Sequence, residues 1–170
     1  MRKKLTIVAA VAAALVAGLL AGGMVPAASQ QAGREKFTVC EKNNKGFSKD
    51  IDADDSGDFS AGDYSTNVTP MFDPKTGKRH GRNVGTFTAL KAIGERNGWF
   101  QFVVTVFFGE GKITAVVSGK FSSFGTKDGL TFPITGGTGH YRNASGVITV
   151  KNGSCDGSRG ARITFNVNTR

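Results

Sequence analysis

The sequence predicts an all-β protein, an eight-stranded antiparallel β-barrel. Two observations lead to this prediction. Apolar and polar residues alternate with a period of two in one segment after another, which is the pattern of antiparallel strands buried on one face. After Ser29, no stretch of about ten residues shows the three-to-four spacing of an amphipathic helix. Eight short strands that each bury one face close naturally into a barrel, because closure leaves no unpaired edge.

The predicted strands are separated by short polar or glycine-containing breaks. The last strand is the clearest, because Ile163 and Phe165 alternate regularly with polar residues. In the first strand, Phe37, Val39 and Glu41 share one face. In chain order the predicted strands cover residues 35–41, 63–72, 84–93, 99–108, 112–121, 130–134, 144–151 and 161–168.

A barrel of eight strands is either filled by its own side chains or holds one small ligand. Phe, Val, Ile and Ala dominate the predicted inner faces, so a cavity there suits a hydrophobic molecule. The strand over residues 99–108 places Phe100, Phe102 and Val104 inward, and we predict that these side chains contact the ligand. The alternative is a filled core without a ligand.

Residues 1–29 are predicted to be a secretory signal peptide, and residues 30–170 a single barrel domain. A positively charged segment precedes an apolar run over residues 5–21, and small residues follow at 27–29. We therefore predict a secreted, extracellular protein without a stable membrane anchor. The alternative is an uncleaved anchor, although the apolar run is shorter than the ~20 residues that a membrane-spanning helix needs.

The charge balance is basic but does not predict nucleic-acid binding. The chain carries 22 basic and 13 acidic residues, a net charge of +9. The predicted signal peptide holds three of the basic residues and no acid, so the remaining chain carries roughly +6. Most basic residues are scattered, and the one cluster, residues 75–82, lies in a turn-rich connection without interleaved aromatic residues.

The chain contains two cysteines, Cys40 and Cys155. An even number of cysteines in a secreted protein favours a disulfide bond, and with two cysteines only one pairing exists. The alternative is two free thiols. Neither a C-x-x-C motif nor a neighbouring pair of histidines indicates redox or zinc chemistry.

Three glycines fall within residues 136–139, between two short apolar segments. A Rossmann fingerprint does not fit, because the third glycine would fall on Arg142, and a P-loop does not fit, because Gly139 is followed by His140. Glycine reaches backbone conformations that other residues avoid. We therefore predict a structural turn rather than a phosphate-binding loop.

The same stretch carries a family resemblance. Gly-Gly-Thr-Gly at 136–139, the aromatic Tyr141, and then Arg142 and Gly146 resemble the signature hairpin of the allene oxide cyclase and dirigent barrel superfamily. The resemblance implies a calycin-like barrel, and, because family members often form trimers, a homotrimer. Further segments that resemble the family's strands are residues 60–64, 72–78, 84–86, 99–109 and 112–121.

The family resemblance also implies site residues. Glu41-Lys42-Asn43 resembles the Glu-x-Asn motif of allene oxide cyclases, which implies that Glu41 and Asn43 are catalytic, and Arg142 is the corresponding candidate for ligand binding. An inward carboxyl among apolar side chains is hard to ionise and can act as an acid or a base. The alternatives are a solvated rim position for Glu41 and a structural role for Arg142 in fixing the hairpin.

Two departures separate the chain from the known chemistries of the superfamily. The cyclases use a Cys on the third strand, where residues 87–91 contain none. Dirigent proteins usually carry a second Arg after the glycine motif, at the position of Ser145. The resemblance therefore predicts the barrel more firmly than it predicts a reaction.

Residues 52–63 match the spacing of a calcium-binding loop, with oxygen-bearing side chains at the first, third, fifth, ninth and twelfth positions. The twelfth position is Asp63 rather than Glu, and neither flank is helical in pattern. We predict a solvated acidic loop and no metal site, with calcium binding as the alternative.

Together these observations predict a secreted small barrel that binds a small hydrophobic molecule in its interior, without a cofactor. If it is an enzyme, an isomerase-like or cyclase-like activity with Glu41 as the polar centre is expected. The alternative is a non-catalytic carrier, or a barrel that interacts with the cell envelope.

Overall fold

The computed structural model describes residues 33–43, 45–57, 60–91, 98–123 and 129–169. The predicted signal peptide lies outside the described residues. None of the helices among the described residues has the length and apolarity needed to cross a lipid bilayer. Within these described ranges, nine strands and one short 3-10 helix, Phe121–Ser123, follow one another. The strands are β1 (Gly33–Lys42), β2 (Phe47–Ile51), β3 (Tyr64–Phe72), β4 (Arg79–Lys91), β5 (Trp99–Phe108), β6 (Gly111–Lys120), β7 (Leu130–Gly139), β8 (Ser145–Cys155) and β9 (Ser158–Thr169).

The strands form one antiparallel sheet in the order β1-β9-β8-β7-β6-β5-β4-β3-β2, which closes through a further pairing of β1 with β3. β2 pairs with residues 64–68 of β3, whereas β1 meets β3 at the pair Cys40 and Phe72. β1 and β2 therefore lie one after the other along the same edge of β3. Together they occupy one strand position in the barrel wall. The nine strands therefore form the predicted closed eight-stranded antiparallel barrel.

β2 was not among the predicted strands. Its sequence, Phe-Ser-Lys-Asp-Ile, is exposed at four of five positions, so it has no buried face to generate an alternating pattern. The strand exists because its backbone extends the ladder of β3, from the pair Phe47–Val68 to the pair Ile51–Tyr64.

One end of the barrel interior is filled by aromatic side chains. Phe37 on β1 stacks on Phe165 of β9 with ring centroids 4.8 Å apart. Phe108 meets both rings edge-on, and Tyr141 lies against Phe37 and Phe108. Edge-to-face and stacked pairs contribute beyond simple burial, so this end forms the densest part of the core. The buried residues of the core are Val39, Met71, Val104, Val106, Ile113, Ala115, Phe132, Ile134, Tyr141, Ala144, Ile148, Ile163, Phe165 and Val167.

The glycine run does not form the turn that the sequence predicted. Residues 136–139 continue β7 and pair with β6, and the reversal follows at 140–144. The glycines are needed for close approach: a Cβ on Gly137 would lie 2.3 Å from the carbonyl oxygen of Tyr141 and 2.6 Å from that of Lys112. Gly139 has a φ of 63°, a backbone conformation that favours glycine.

The predicted disulfide bond is present. Cys40 on β1 and Cys155 on β8 are bonded, with their Cα atoms 5.5 Å apart, and they are 115 positions apart in sequence. Both side chains are fully buried. The bond joins β1 to β8, the two strands that flank β9 in the sheet.

Candidate functional site

The barrel encloses a cavity of about 180 Å³ at the end opposite to the aromatic cluster. Apolar side chains from the inner faces of most strands form its walls. Polar groups enter it from β1, β3, β4 and the end of β8. The lining residues are Glu41, Asn67, Met71, Asn83, Phe102, Val104, Val106, Gly129, Leu130, Phe132, Ile148, Val150, Asn152 and Ile163.

Glu41 is the one charged residue among the described residues that line this cavity. It stands near the end of β1, opposite Ala161 of β9, and keeps the inward phase of Phe37 and Val39. Side chains two positions apart on a strand point to the same face. The alternation of β1 therefore carries a carboxyl group into an apolar space.

A hydrogen-bonded chain of side chains holds the Glu41 carboxyl. Asn83 Nδ2 on β4 donates to Glu41 Oε1. Asn83 Oδ1 in turn accepts from Asn67 Nδ2 on β3 at 3.3 Å and from the backbone N–H of Thr69 at 3.3 Å. Asn83 is itself buried. Three strands thus contribute to one polar cluster inside the barrel.

Burial raises the pKa of the Glu41 carboxyl from its ordinary value of 4.5 to about 7. Desolvation is the dominant cause, because removal from water penalises the charged form. The hydrogen bond from Asn83 acts in the opposite direction and stabilises the carboxylate. At neutral pH the carboxyl consequently populates both its protonated and its ionised forms.

Sequence reasoning missed Asn67 and Asn83. Asn83 falls immediately before the predicted third strand, which was placed at residues 84–93, whereas β4 already begins at Arg79. Asn67 points to the same inner face as Met71 on β3. The alternation of β3 could therefore have revealed a polar residue at an inward position. Two such residues on neighbouring strands mark a shared polar cluster.

The predicted ligand contacts divide between two regions. Phe102 and Val104 line the cavity. Phe100 is fully buried but lies outside the lining, where its ring stacks on Phe87 with centroids 5.1 Å apart. Phe100 is therefore not among the side chains that face the cavity.

Neither Asn43 nor Arg142 reaches the cavity lining. Asn43 follows the end of β1 as an exposed turn residue, and its backbone N–H donates to the carbonyl of Arg159 at 3.1 Å. Arg142 is exposed in the turn between β7 and β8, at the barrel end remote from Glu41. The structure thus separates Glu41 from the two residues with which the family resemblance grouped it.

The acidic loop brings Asp52, Asp54 and Asp63 together, with one carboxylate oxygen of each lying within 4.8 Å of the others. The carboxylate of the buried Asp63 already accepts hydrogen bonds from two backbone N–H groups, those of Ala53 at 2.7 Å and Ser60 at 2.5 Å. Hydrogen bonds within the loop lower the pKa of Asp54 to about 2. The carboxylates therefore organise the loop backbone.

Comparison with protein families identifies the chain. The sequence profile of the allene oxide cyclase barrel like domain matches residues 44–165. The chain belongs to this family. The matched segment begins three residues after Glu41, so the role of Glu41 rests on the cavity and not on the family match. No curated protein matches the sequence at a significant level.

Solved structures with this barrel include a pyocyanin demethylase, with a TM-score of 0.61 and 20% identity over 78% of this chain and 99% of that one. A pterocarpan synthase dirigent protein gives a TM-score of 0.57 with 15% identity, covering 82% of this chain and 97% of that one. The Diels-Alderase of Streptomyces koyangensis gives 0.58 and 17%, covering 81% of this chain and 64% of that one. At these identities the likeness establishes the fold alone.

Proposed function

We propose that this protein is a secreted barrel that binds a small hydrophobic molecule in its cavity and isomerises or cyclises it, with Glu41 as the acid–base group. One observation carries the proposal: among the described residues that line the cavity, Glu41 is the one that is charged, and the others are apolar or carry uncharged side-chain amides. A filled core would bury no ionisable group, because an unpaired buried charge is costly.

The cavity walls favour an apolar ligand. Phe102, Phe132 and Ile148 supply large apolar surfaces, and transfer of apolar area from water contributes about 25 cal/mol for each Å². A space of about 180 Å³ fits a molecule of one or two rings better than it fits an extended chain. Binding is expected to be driven by burial, with the polar cluster orienting the ligand.

The chemistry follows from the state of the carboxyl. A group with a pKa near the working pH donates and accepts protons with similar ease, which suits general acid–base catalysis. The raised pKa of Glu41, about 7, meets this condition. In an acid–base isomerisation or cyclisation, Glu41 would take a proton from one atom of the substrate and return a proton at another, so that no net proton is gained or lost. The cavity would hold the substrate in the reactive shape.

The names of the structural neighbours support a small-molecule ligand. Pyocyanin demethylase and the pterocarpan synthase dirigent protein are named for small organic molecules, and the Diels-Alderase is named for a cycloaddition, which forms a ring. This support is an analogy at the level of the fold.

The test is to identify what the secreted protein carries. We expect denaturation of the purified protein to release a hydrophobic compound that mass spectrometry detects, and Val104→Phe, which narrows the cavity, to reduce its recovery strongly. Glu41→Gln is expected to bind that compound but to lose its conversion, whereas Asn168→Ala on the outer wall retains both. Undiminished recovery from Val104→Phe, or full conversion by Glu41→Gln, would contradict the proposal.

A second candidate function is a non-catalytic barrel that contacts the cell envelope. A shallow groove of about 380 Å³ on the outer wall contains Lys36, Lys151 and Arg162 together with hydroxyl and amide side chains, and none of the described residues that line it is acidic. Lys151 and Arg162 are directly opposite each other on β8 and β9, an unfavourable placement for like charges. A groove of this kind suits an anionic polymer.

Charge reversal tests that alternative. If the groove is the functional surface, Lys151→Glu with Arg162→Glu should release the protein from a purified anionic envelope polymer without changing occupancy of the cavity. Equal retention of the variant and the wild type would exclude the groove as the functional surface.

We also propose that the protein assembles as a homotrimer through its β2–β5 wall. Phe47, Val68 and Val84 form a cross-strand row, and the side chain of Phe47 is 60% exposed. Antiparallel sheets normally present polar residues to water, and contiguous exposed apolar residues indicate an interface.

We expect light scattering to give three times the chain mass, and Val84→Lys, but not Asn168→Lys, to give monomers. A wild-type monomer would refute the assembly.

Secretion with loss of residues 1–29 completes the proposal. The disulfide bond between Cys40 and Cys155 is typical of extracytoplasmic proteins and supports it. We expect intact-mass measurement of the exported protein to show cleavage near residue 29. An exported protein that retains the whole segment would contradict it.

A further inference from the structure

We propose that the cavity selects uncharged ligands that carry a hydrogen-bond acceptor, such as a ketone oxygen. This oxygen accepts a hydrogen bond from the hydroxyl of neutral Glu41, and Asn83 is the residue that positions this carboxyl. This inference rests on the proposed function, because it requires that the cavity binds a small molecule. It adds the chemical class of the ligand and the atom that contacts it.

The backbone fixes the orientation of the Asn83 amide. The N–H of Thr69 is a donor that cannot reverse its role, and it points at Asn83 at 3.3 Å. The atom that it meets must therefore be the oxygen of the amide. Asn67 Nδ2 donates to the same oxygen at 3.3 Å. Asn83 Oδ1 is fully engaged, and the NH₂ group is left to face Glu41.

This orientation fixes the position of the proton on Glu41. Because Asn83 Nδ2 donates to Glu41 Oε1, that oxygen must act as an acceptor in both charge states. When the carboxyl is protonated, its hydrogen consequently sits on Oε2. The protein thus prepares one hydroxyl donor, at a defined atom, in the wall of an apolar cavity.

The surroundings provide no counter-charge for a ligand. Glu41 is the one titratable group among the described residues that line the cavity, the other polar linings being the side-chain amides of Asn67, Asn83 and Asn152. The neighbouring cation Lys42 forms an ion pair with Asp156, its Nζ 3.1 Å from Oδ2. The charges of the outer groove lie on the other side of the wall.

Ligand preference follows from this electrostatic balance. An anion would lose its hydration and meet no cation, and a hydrocarbon would leave the Glu41 hydroxyl without a partner. A ketone or ether oxygen accepts that hydroxyl while the rest of the molecule buries apolar area. A cationic ligand would instead favour the ionised carboxylate, so the pH dependence of binding separates the two classes.

Four matched probes test the inference: 2-acetylnaphthalene as the neutral acceptor, 2-ethylnaphthalene as the hydrocarbon, 2-naphthoate as the anion and 1-(2-naphthyl)ethylamine as the cation. Binding to the whole secreted protein is measured by calorimetry at about pH 5.5 and about pH 8.5. We expect the ketone to bind tightest at the lower pH and roughly thirtyfold weaker at the higher pH, in proportion to the protonated fraction of a group that titrates near neutrality.

Two variants separate positioning from structure. Glu41→Gln keeps a donor at the Oε2 position, so we expect it to bind the ketone with the same affinity at both pH values. Asn83→Leu removes the amide that fixes Oε1, so we expect the ketone's advantage over the hydrocarbon to shrink. We expect the midpoint of the remaining pH dependence of ketone binding to rise, because the hydrogen bond that favours the carboxylate is lost. Asn168→Ala on the outer wall should reproduce the wild-type profile.

The outcomes distinguish this inference from the function beneath it. If no probe binds the wild type, the proposed ligand-binding function itself fails. If the probes bind but the ketone equals the hydrocarbon, or the cation binds tightest, the inference is overturned while cavity binding stands. Should Asn83→Leu fail to fold, the ketone titration of Glu41→Gln, which must be flat with pH, decides the question.

Discussion

At the scale of single residues, the central feature is a carboxyl group whose protonation is linked to folding. The pKa of Glu41 is about 7 in the folded protein against 4.5 ordinarily, so between these values the folded state holds a proton that the unfolded chain has lost. A state that binds more protons loses stability as the pH rises. Stability should therefore decrease from about pH 4.5 to about pH 7, and then level off with respect to this group.

Glu41→Gln tests this linkage, because it keeps the shape and removes the charge. We expect urea unfolding of the wild type to lose about 3 kcal/mol relative to the variant between about pH 4.5 and about pH 8. Asn168→Ala serves as the control and should follow the wild type. Parallel pH profiles for the wild type and Glu41→Gln would show that the Glu41 carboxyl is solvated.

At the scale of strands, Gly85 sets the distance between β3, β4 and β5. A Cβ at this position would lie 2.6 Å from Asn67 Oδ1 and 2.7 Å from the ring of Phe102. Gly85→Ala must therefore displace the amide cluster or push the Phe102 ring into the cavity. We expect a loss of about 1–3 kcal/mol in unfolding free energy, which is typical of overpacking, together with weaker probe binding.

Gly109→Ala is the matched control for that experiment. Its Cβ would meet nothing within 4 Å, so we expect a change within about 0.5 kcal/mol. If Gly85→Ala changes the unfolding free energy and the probe affinity as little as Gly109→Ala does, then Asn67 and Phe102 do not pack closely over Gly85.

The disulfide bond also acts between strands, since it joins β1 to β8 across a loop of 115 residues. In the chain-entropy model such a loop contributes about 4–5 kcal/mol. Reduction should lower the melting temperature by roughly 10 °C, and thiol titration of the unreduced protein in denaturant should find none. The double variant Cys40→Ala, Cys155→Ala should melt identically with and without reductant; a reductant-sensitive variant would point to another cause.

The acidic loop between β2 and β3 is expected to be structural. Because Asp63 is engaged by backbone amides, millimolar calcium added to chelator-treated protein should leave the melting temperature unchanged. A calcium-specific rise, absent with magnesium and lost in Asp52→Asn, would instead reveal a site in this loop.

At the scale of the whole molecule, the sequence predicted the barrel because each inward face repeats at a period of two. The same period correctly placed Glu41, Phe102 and Val104 on the inner face. It could not reveal β2, which buries no face, or the role of the glycine run, which depends on how closely Gly137 approaches β6. Distances between strands arise from packing, and a single strand does not encode them.

The polar cluster around Glu41 also could not be predicted from the sequence alone. Asn67 and Asn83 are far apart from Glu41 in sequence, and only the pairing of β3 with β4 and the closure of β1 on β3 bring the three side chains together. Conversely, Glu41 and Asn43 are near in sequence, but β1 ends at Lys42 and the next residue turns outward. Glu41 and Asn43 are therefore close in the sequence motif but do not line the same cavity.

The most direct measurement is a ¹³C NMR titration of the Glu41 carboxyl in the wild-type protein, assigned by its absence from the spectrum of Glu41→Gln. We predict that Glu41 titrates with a midpoint at about pH 7. This midpoint should rise further when 2-acetylnaphthalene is added, because the ligand stabilises the protonated form. A midpoint near the ordinary 4.5, unmoved by the probe, would contradict a buried carboxyl in a ligand-binding cavity.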